Sequence, residues 1–311
     1  MRAHLFTFQA FAFLFSVYSA PVLDTLPDAL LNGTGHTVGY GELKEEWRGE
    51  VIHLSWAPRA FLLKNFMTDE ECDHIIALAE PHMIKSMVVD NDTGGSVPSE
   101  VRTSSGTSLA KGHDDIIRRI EKRVAQVTMI PVGHQEGLQI LHYQDGQKYE
   151  AHYDFFHDAV NAAPEQGGQR VVTVLMYLTT VEEGGETVFP NADKKVSGDK
   201  WSDCAKKGMA VKATRGDALM FYSLKPDGSN DPSSLHSSCP TTQGNKWSAT
   251  KWIHVSPVMP QNKKAELQPG ECGDSHEQCA EWAYFGECEK NPGFMASSCK
   301  KSCKLCEKLS S

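Results

Sequence analysis

The chain has 311 residues and 40% hydrophobic content, enough to bury the core of one domain of about 200 residues beside a smaller one. Its net charge of −9 argues against a surface that wraps nucleic-acid phosphates, so no partner of that class is expected. Nine cysteines suit an oxidising compartment.

In chain order, residues 1–20 read as a secretory signal. Arg2 supplies the positive start, Leu5 to Tyr18 an apolar stretch, and Ser19 and Ala20 a cleavage point. The apolar run contains Gln9 and is short for a membrane span, so an uncleaved anchor is the alternative. Either way the body is expected in the lumen of the endoplasmic reticulum or Golgi, tethered to the membrane if the anchor persists. Sequons at Asn32-Gly-Thr34 and Asn91-Asp-Thr93 are then candidate glycan acceptors. Residues 21–54 are polar and weakly periodic, a lead-in to the first domain.

Phe61 to Phe66 reads as a strand. Thr68-Asp-Glu-Glu71 is a capping-box start for a helix with Cys72, Ile75, Ile76, Leu78 and Ala79 on its apolar side, and Cys72 is expected to be a buried free thiol. The Gly- and Ser-rich run from Asp90 to Gly106 is either a disordered surface loop or a lid. A second helix spans about Asp114 to Val127, with Ile116, Ile117, Ile120, Val124 and Val127 at helical spacing. Strands dominate from Leu138, and Val171 to Leu178 is apolar enough to be buried on both faces. Residues 259–270 form a polar linker. Six cysteines then crowd the segment 271–306, a disulfide framework in preference to a zinc site.

Chemistry concentrates in His152-x-Asp154, with His236 and Lys246 following. Two imidazoles and one carboxylate can occupy one face of an octahedral iron(II), leaving three positions for a chelating cosubstrate and dioxygen. On a strand, residues i and i+2 share a side, so His152 and Asp154 could grip one ion from a single segment while His236 arrives from a distant strand.

The context of this triad is His142-Tyr-Gln-Asp-Gly-Gln-Lys-Tyr149, Arg170-Val-Val-Thr-Val-Leu-Met-Tyr-Leu178, Gly184-Gly-Glu-Thr-Val-Phe-Pro190, Arg215-Gly-Asp-Ala-Leu-Met-Phe221 and Lys246-Trp-Ser-Ala-Thr-Lys-Trp252. With these motifs in this order, residues 55–258 resemble the prolyl 4-hydroxylase family of iron(II) and 2-oxoglutarate dependent dioxygenases, most closely the plant and algal type. The resemblance implies a mainly β fold with flanking helices, a double-stranded β-helix or jelly roll. It implies that Fe2+ is held by His152, Asp154 and His236, and that Lys246 pairs with the distal carboxylate of 2-oxoglutarate, assisted by Tyr143 and Thr187. Tyr149, Arg170 and Trp252 would line a peptide groove with Glu136 on the opposite wall, and Arg102 and Ser104 would touch peptide from the lid.

The activity so implied is hydroxylation of proline C4 in proline-rich polypeptides, with O2 and 2-oxoglutarate consumed, succinate and CO2 released, and L-ascorbate as reductant for uncoupled turnover. A proline-rich substrate suits such a groove because its polyproline II conformation is largely formed before binding. Hydroxylation of lysine or of a small molecule on the same scaffold is one alternative, and an inactive barrel carrying a binding module is another.

Residues 271–306, from Glu271-Cys-Gly-Asp to Cys299-Lys-Lys-Ser-Cys-Lys-Leu-Cys306, resemble the ShKT domain. That resemblance implies pairing Cys272 with Cys306, Cys279 with Cys299 and Cys288 with Cys303, leaving Cys204 and Cys239 to bridge each other. The partner of this module is not legible.

Overall fold

The structure is a computed structural model that describes residues 47–89, 94–258, 272–275, 279–284 and 286–306. The expected signal, most of the lead-in, both sequons and the linker 259–270 lie outside the described residues. Among the described residues, no helix is long and apolar enough to cross a membrane.

The chain begins with β1 (Val51–Trp56) and β2 (Arg59–Leu63), followed by helix α1 (Asp69–Ala79) and the short strands β3 (Ile84–Lys85), β4 (Met87–Val89), β5 (Ser96–Pro98) and β6 (Ser105–Leu109). Helix α2 (Asp115–Thr128) precedes β7 (Leu138–Tyr143), β8 (Tyr149–His152), β9 (Arg170–Tyr177), β10 (Glu183–Gly184), β11 (Thr187–Phe189) and β12 (Met209–Val211). The domain closes with β13 (Ala218–Tyr222), β14 (His236–Ser238), β15 (Thr241–Gln243) and β16 (Lys246–His254).

Two antiparallel sheets face each other. The major sheet runs β1-β2-β13-β9-β16-β7-β6-β3 and the minor sheet β12-β11-β14-β8, the double-stranded β-helix. Alternation assigns each face. Val172, Val174 and Met176 of β9, with Ala249 and Ile253 of β16, pack under Ile117, Ile120 and Val124 of α2 and Cys72 and Ile75 of α1. The opposite face turns Tyr177, Leu219 and Phe221 toward Phe189, Met209 and Val211 of the minor sheet. β9 is therefore covered on both sides, which is why its sequence is apolar almost throughout.

The helix starts follow from capping. Thr68 Oγ1 accepts Glu71 N at 3.2 Å while Glu71 Oε2 accepts Thr68 N at 3.0 Å, and Asp114 Oδ1 accepts Ile117 N at 2.9 Å. The strand expected at Phe61–Phe66 sits earlier, because Asn65 adopts φ 51° and turns the chain. Ser96–Pro98, within the Gly- and Ser-rich run, pairs with Met87–Val89 just before it, so this part of the run is ordered by strand pairing.

Cys204 is bridged to Cys239 across 35 residues. The cysteine-rich segment holds three bridges, Cys272–Cys306, Cys279–Cys299 and Cys288–Cys303. Helices α3 (Cys279–Tyr284), α4 (Glu287–Lys290) and α5 (Pro292–Ser298) wrap this small core, in which Cys279, Met295 and Cys299 are buried. Cys72 is unbridged and buried.

Candidate metal centre and cosubstrate pocket

His152 ends β8 and His236 begins β14, and the two are register partners across the minor sheet. His152 Nε2 lies 3.8 Å from Asp154 Oδ1, and His236 Nε2 lies 3.7 Å from Asp154 Oδ2. Among the described residues these three form the one group of possible ligand atoms gathered within 4.8 Å of one another. Asp154 is not on the strand with His152, as the i, i+2 argument required. β8 stops at His152, and the carboxylate comes from the bend beyond it, where Thr173 Oγ1 donates to Asp154 Oδ2 at 2.7 Å.

The proton positions follow from the partners. His152 Nδ1 is 2.8 Å from the Glu150 carbonyl and His236 Nδ1 is 2.9 Å from the Ser234 carbonyl. A carbonyl only accepts, so each Nδ1 carries hydrogen and each Nε2 offers its lone pair to the space beside Asp154. Burial, then the neighbouring His236, keeps the His152 imidazole well below its usual pKa and hence neutral. Burial alone would raise the Asp154 carboxyl, but its neighbours, the Arg170 charge and the Thr173 hydrogen bond among them, outweigh it and hold the group ionised. Two imidazoles, each with its Nδ1 turned to a backbone carbonyl, and one carboxylate fit a divalent iron. Tyr149 stacks on His152 with ring centroids 3.6 Å apart, and Phe221 meets His236 edge-on at 4.6 Å.

The same cavity reaches Lys246. On β16, Lys246, Ser248, Thr250 and Trp252 alternate into it, and Lys246 pairs in register with Tyr143 of β7. Lys246 Nζ donates to Ser238 Oγ at 2.7 Å, and Lys246 makes no ion pair among the described residues although it is only 1% exposed. Burial pushes its pKa down to about 7, opposed by Glu186 alone. Lys251, equally buried on the other face of β16, is satisfied by Glu121 Oε1 and the Glu136 carbonyl, each at 2.6 Å. A buried cation facing an open pocket with no carboxylate partner is what the distal charge of 2-oxoglutarate would complete. Thr187 also lines the cavity, with its Oγ1 2.9 Å from the Tyr177 hydroxyl.

The expected peptide contacts divide into two sets. Arg102, Tyr149 and Trp252 line the cavity. Arg102 donates to the Met87 carbonyl at 3.0 Å and Gln139 Oε1 at 2.7 Å and lies over the Tyr149 ring at 4.6 Å. Arg102 Nε and Trp252 Nε1 are buried without a hydrogen-bond partner among the described residues. Arg170, Glu136 and Ser104, expected on a peptide groove and its lid, lie outside the lining of this cavity. Arg170 spends its fork on Glu136 and its faces on Trp252 and Phe156, at 3.8 and 4.6 Å. Glu136 also meets His254 Nε2 at 2.7 Å, and Ser104, 1% exposed, donates to Ser86 Oγ at 3.0 Å.

Sequence reading does not single out Thr173, Ser238 or Tyr177. Each is an inward-facing strand residue, and the available signal is period two: Ser238 is two residues from His236, and Tyr177 lies four residues, hence two same-face steps, beyond Thr173.

A model of the 2OG-Fe(II) oxygenase superfamily matches residues 138–254, and a ShK domain-like model matches residues 271–306. The chain is 46% identical to Probable prolyl 4-hydroxylase 7 of Arabidopsis thaliana over 316 residues, covering 96% of this chain and 98% of that protein. It is 53% identical to Probable prolyl 4-hydroxylase 6 of the same plant, covering 82% and 89% of the two chains. With Prolyl 4-hydroxylase 2 of Arabidopsis thaliana the identity is 48%, covering 83% and 88%.

Proposed function

Because this chain belongs to the prolyl 4-hydroxylase family of 2OG-Fe(II) oxygenases, we infer that it hydroxylates C4 of proline in proline-rich polypeptides presented in the polyproline II conformation. The observation that carries the reading is the combination, in one cavity, of the His152-Asp154-His236 donor set and the buried Lys246 ammonium, which makes no ion pair among the described residues.

Iron(II) with 2-oxoglutarate and dioxygen supplies the oxidative decarboxylation to succinate and CO2 that delivers an oxygen atom to the substrate carbon. The protein's own residues do the positioning. His152, Asp154 and His236 would hold the metal, and Thr173 fixes the Asp154 carboxylate. Lys246 would neutralise the distal carboxylate from its buried position, with Tyr143 and Thr187 supplying hydroxyls. Tyr149, Arg102 and Trp252 line the cavity and offer aromatic and guanidinium surface to a peptide whose rings and carbonyls alternate. The Arg170–Glu136–His254 cluster keeps Trp252 in place from behind.

Ascorbate is the reductant for uncoupled turnover in this reading. The working compartment is the lumen of the endoplasmic reticulum or Golgi, with the N-terminal apolar run as signal or tether. Four disulfides among the described residues support an oxidising setting.

The test is peptide-dependent succinate formation with poly(L-proline) against lysine-bearing peptides. Turnover on poly(L-proline) alone is expected. Turnover confined to lysine peptides would transfer the assignment to a lysyl hydroxylase, and none with either would leave the barrel as a scaffold.

A further inference from the structure

The cysteine-rich module holds its fold with three bridges over a small core of Cys279, Met295 and Cys299. Two large aromatic side chains stand at the edge of that core. Trp282 on α3 is half-buried, Phe294 on α5 is 42% exposed, and their rings meet edge to face with centroids 5.4 Å apart. Together with Glu287, Asn291 and Met295 they line a surface cavity of about 540 Å³. That volume falls among pockets of roughly 300–1,000 Å³, which take a small molecule or a whole side chain. The cavity shares no lining residue with the one that holds the His-Asp-His group.

The backbone sets the polar wall. Asn291 N donates to the Glu287 carbonyl at 2.8 Å and Met295 N to the Asn291 carbonyl at 3.1 Å, so a carboxylate, an amide and a thioether follow one another at i, i+4 spacing. Met295 is 1% exposed and belongs to the core, which leaves Glu287 and Asn291 as the polar lining. The Glu287 carboxylate makes no ion pair among the described residues, and no lysine or arginine lines the cavity, Lys290 included. A carboxylate beside two rings, with no cation of its own, is complementary to a positive group, which the rings attract through their faces and the carboxylate by charge. Of the cationic side chains the guanidinium matches this lining better than the ammonium. It is planar and weakly hydrated, so it can lie on a ring while its fork meets both carboxylate oxygens.

We propose that the cysteine-rich module binds an arginine side chain of a polypeptide partner in this cavity, with Glu287 taking the guanidinium fork and Trp282 and Phe294 packing on its faces and stem. The module is then a recognition site for a basic segment, carried on the same chain as the barrel and separate from its chemistry. Exposed aromatic surface beside a partnerless carboxylate is placed to gain contacts on binding, not to hold a fold that the bridges already hold.

The test is an NMR titration of the full chain with three blocked glycine pentapeptides that carry arginine, lysine or citrulline at the centre, citrulline being the uncharged relative of arginine. The Trp282 indole N–H is the reporter, identified by its disappearance in Trp282→Phe, so binding at the barrel is not mistaken for binding here. Saturable shifts are expected with the arginine peptide, weakened by added salt, with the lysine peptide binding less tightly and the citrulline peptide about tenfold or more less tightly, the scale of hydrogen bonds to a charged group. Glu287→Gln should bring the arginine peptide down to the citrulline level, and Phe294→Ala should weaken both. Phe294→Leu, which keeps an apolar side chain at this exposed position, should weaken arginine as well while leaving the three bridges intact by non-reducing peptide mapping. No saturable shift with arginine, equal affinity for arginine and either analogue, or an unchanged arginine affinity in Glu287→Gln would overturn the proposal.

Discussion

Glu136 accepts both arms of the Arg170 fork, Nε at 2.6 Å and Nη2 at 3.0 Å, and the guanidinium so fixed lies 3.8 Å beneath the Trp252 ring. Burial alone would raise the Glu136 carboxyl. The Arg170 charge, with hydrogen bonds from His254 and Arg170, outweighs burial and holds it down at about 2. A carboxyl depressed in the folded state contributes stability that is present above its unfolded pKa and is lost as pH falls through the folded value. Thermal melts of the wild type should therefore decline as pH drops from about 4.5 toward 2, with a smaller decline in Glu136→Gln. Parallel melting curves for the two would show that the pair does not matter to the fold.

Arg170→Lys keeps the charge and loses the planar fork that Glu136 and the two rings hold. A loss of about 1–3 kcal/mol, the range for hydrogen bonds to charged groups, is expected, with a raised KM for peptide and an unchanged 2-oxoglutarate affinity. A raised requirement for 2-oxoglutarate instead would place Arg170 at the cosubstrate.

The two buried lysines of β16 predict opposite outcomes. Lys251 is paired with Glu121, so Lys251→Met leaves a carboxylate buried alone and should cost about 3–5 kcal/mol. Lys246 has no such partner among the described residues, so Lys246→Met removes a buried charge that lacks a carboxylate there. In the absence of 2-oxoglutarate its melting temperature should equal or exceed that of wild type, while 2-oxoglutarate binding is lost, as in sites where function costs stability. A Lys246→Met protein that melts lower and still binds 2-oxoglutarate would contradict the anchor.

Cosubstrate binding should also respond to pH through Lys246. Burial pushes its pKa to about 7, so the ammonium is mostly deprotonated above that pH until a carboxylate arrives and raises the value again. Binding then takes up a proton, and the apparent Kd for 2-oxoglutarate should rise by up to about tenfold per pH unit above 7. Calorimetry at pH 8 in two buffers of different ionisation enthalpy measures the uptake directly, and zero protons taken up would mean that Lys246 is already charged in the free protein.

Much of this was legible before any coordinates. The capping box at Thr68, the amphipathic run of α2 and the doubly covered β9 are local patterns, and His152, Asp154, His236 and Lys246 stand out by residue type and order. What could not be read was register. Whether Thr173 faces Asp154 or the helices depends on a strand pairing some twenty residues away from the ligand motif, and Ser238 acquires its partner from β16, on the other sheet. Arg170 reads as a groove wall with an ion pair as the alternative, and its partner Glu136, 34 residues earlier in the chain, is visible only in the fold. Asp154 shows a different gap, since the i, i+2 rule presumed a strand that ends at His152.

Thr173 supplies the donor that orients Asp154. Thr173→Val keeps shape and removes the hydroxyl, and loss of such a supporting contact typically weakens metal binding about 10–100-fold. Fe(II) or Mn(II) titration of the variant should fall in that range with the fold intact. Unaltered metal affinity would show that Asp154 is oriented by the bend alone.

The central claim is tested most directly by locating the added oxygen. A proline-rich peptide incubated with the protein, Fe2+, 2-oxoglutarate and ascorbate, then analysed by tandem mass spectrometry and NMR, should carry 4-hydroxyproline in step with succinate released, and Asp154→Ala should yield neither. Succinate without oxygen on proline C4, or hydroxyproline formed equally well by Asp154→Ala, would contradict the account.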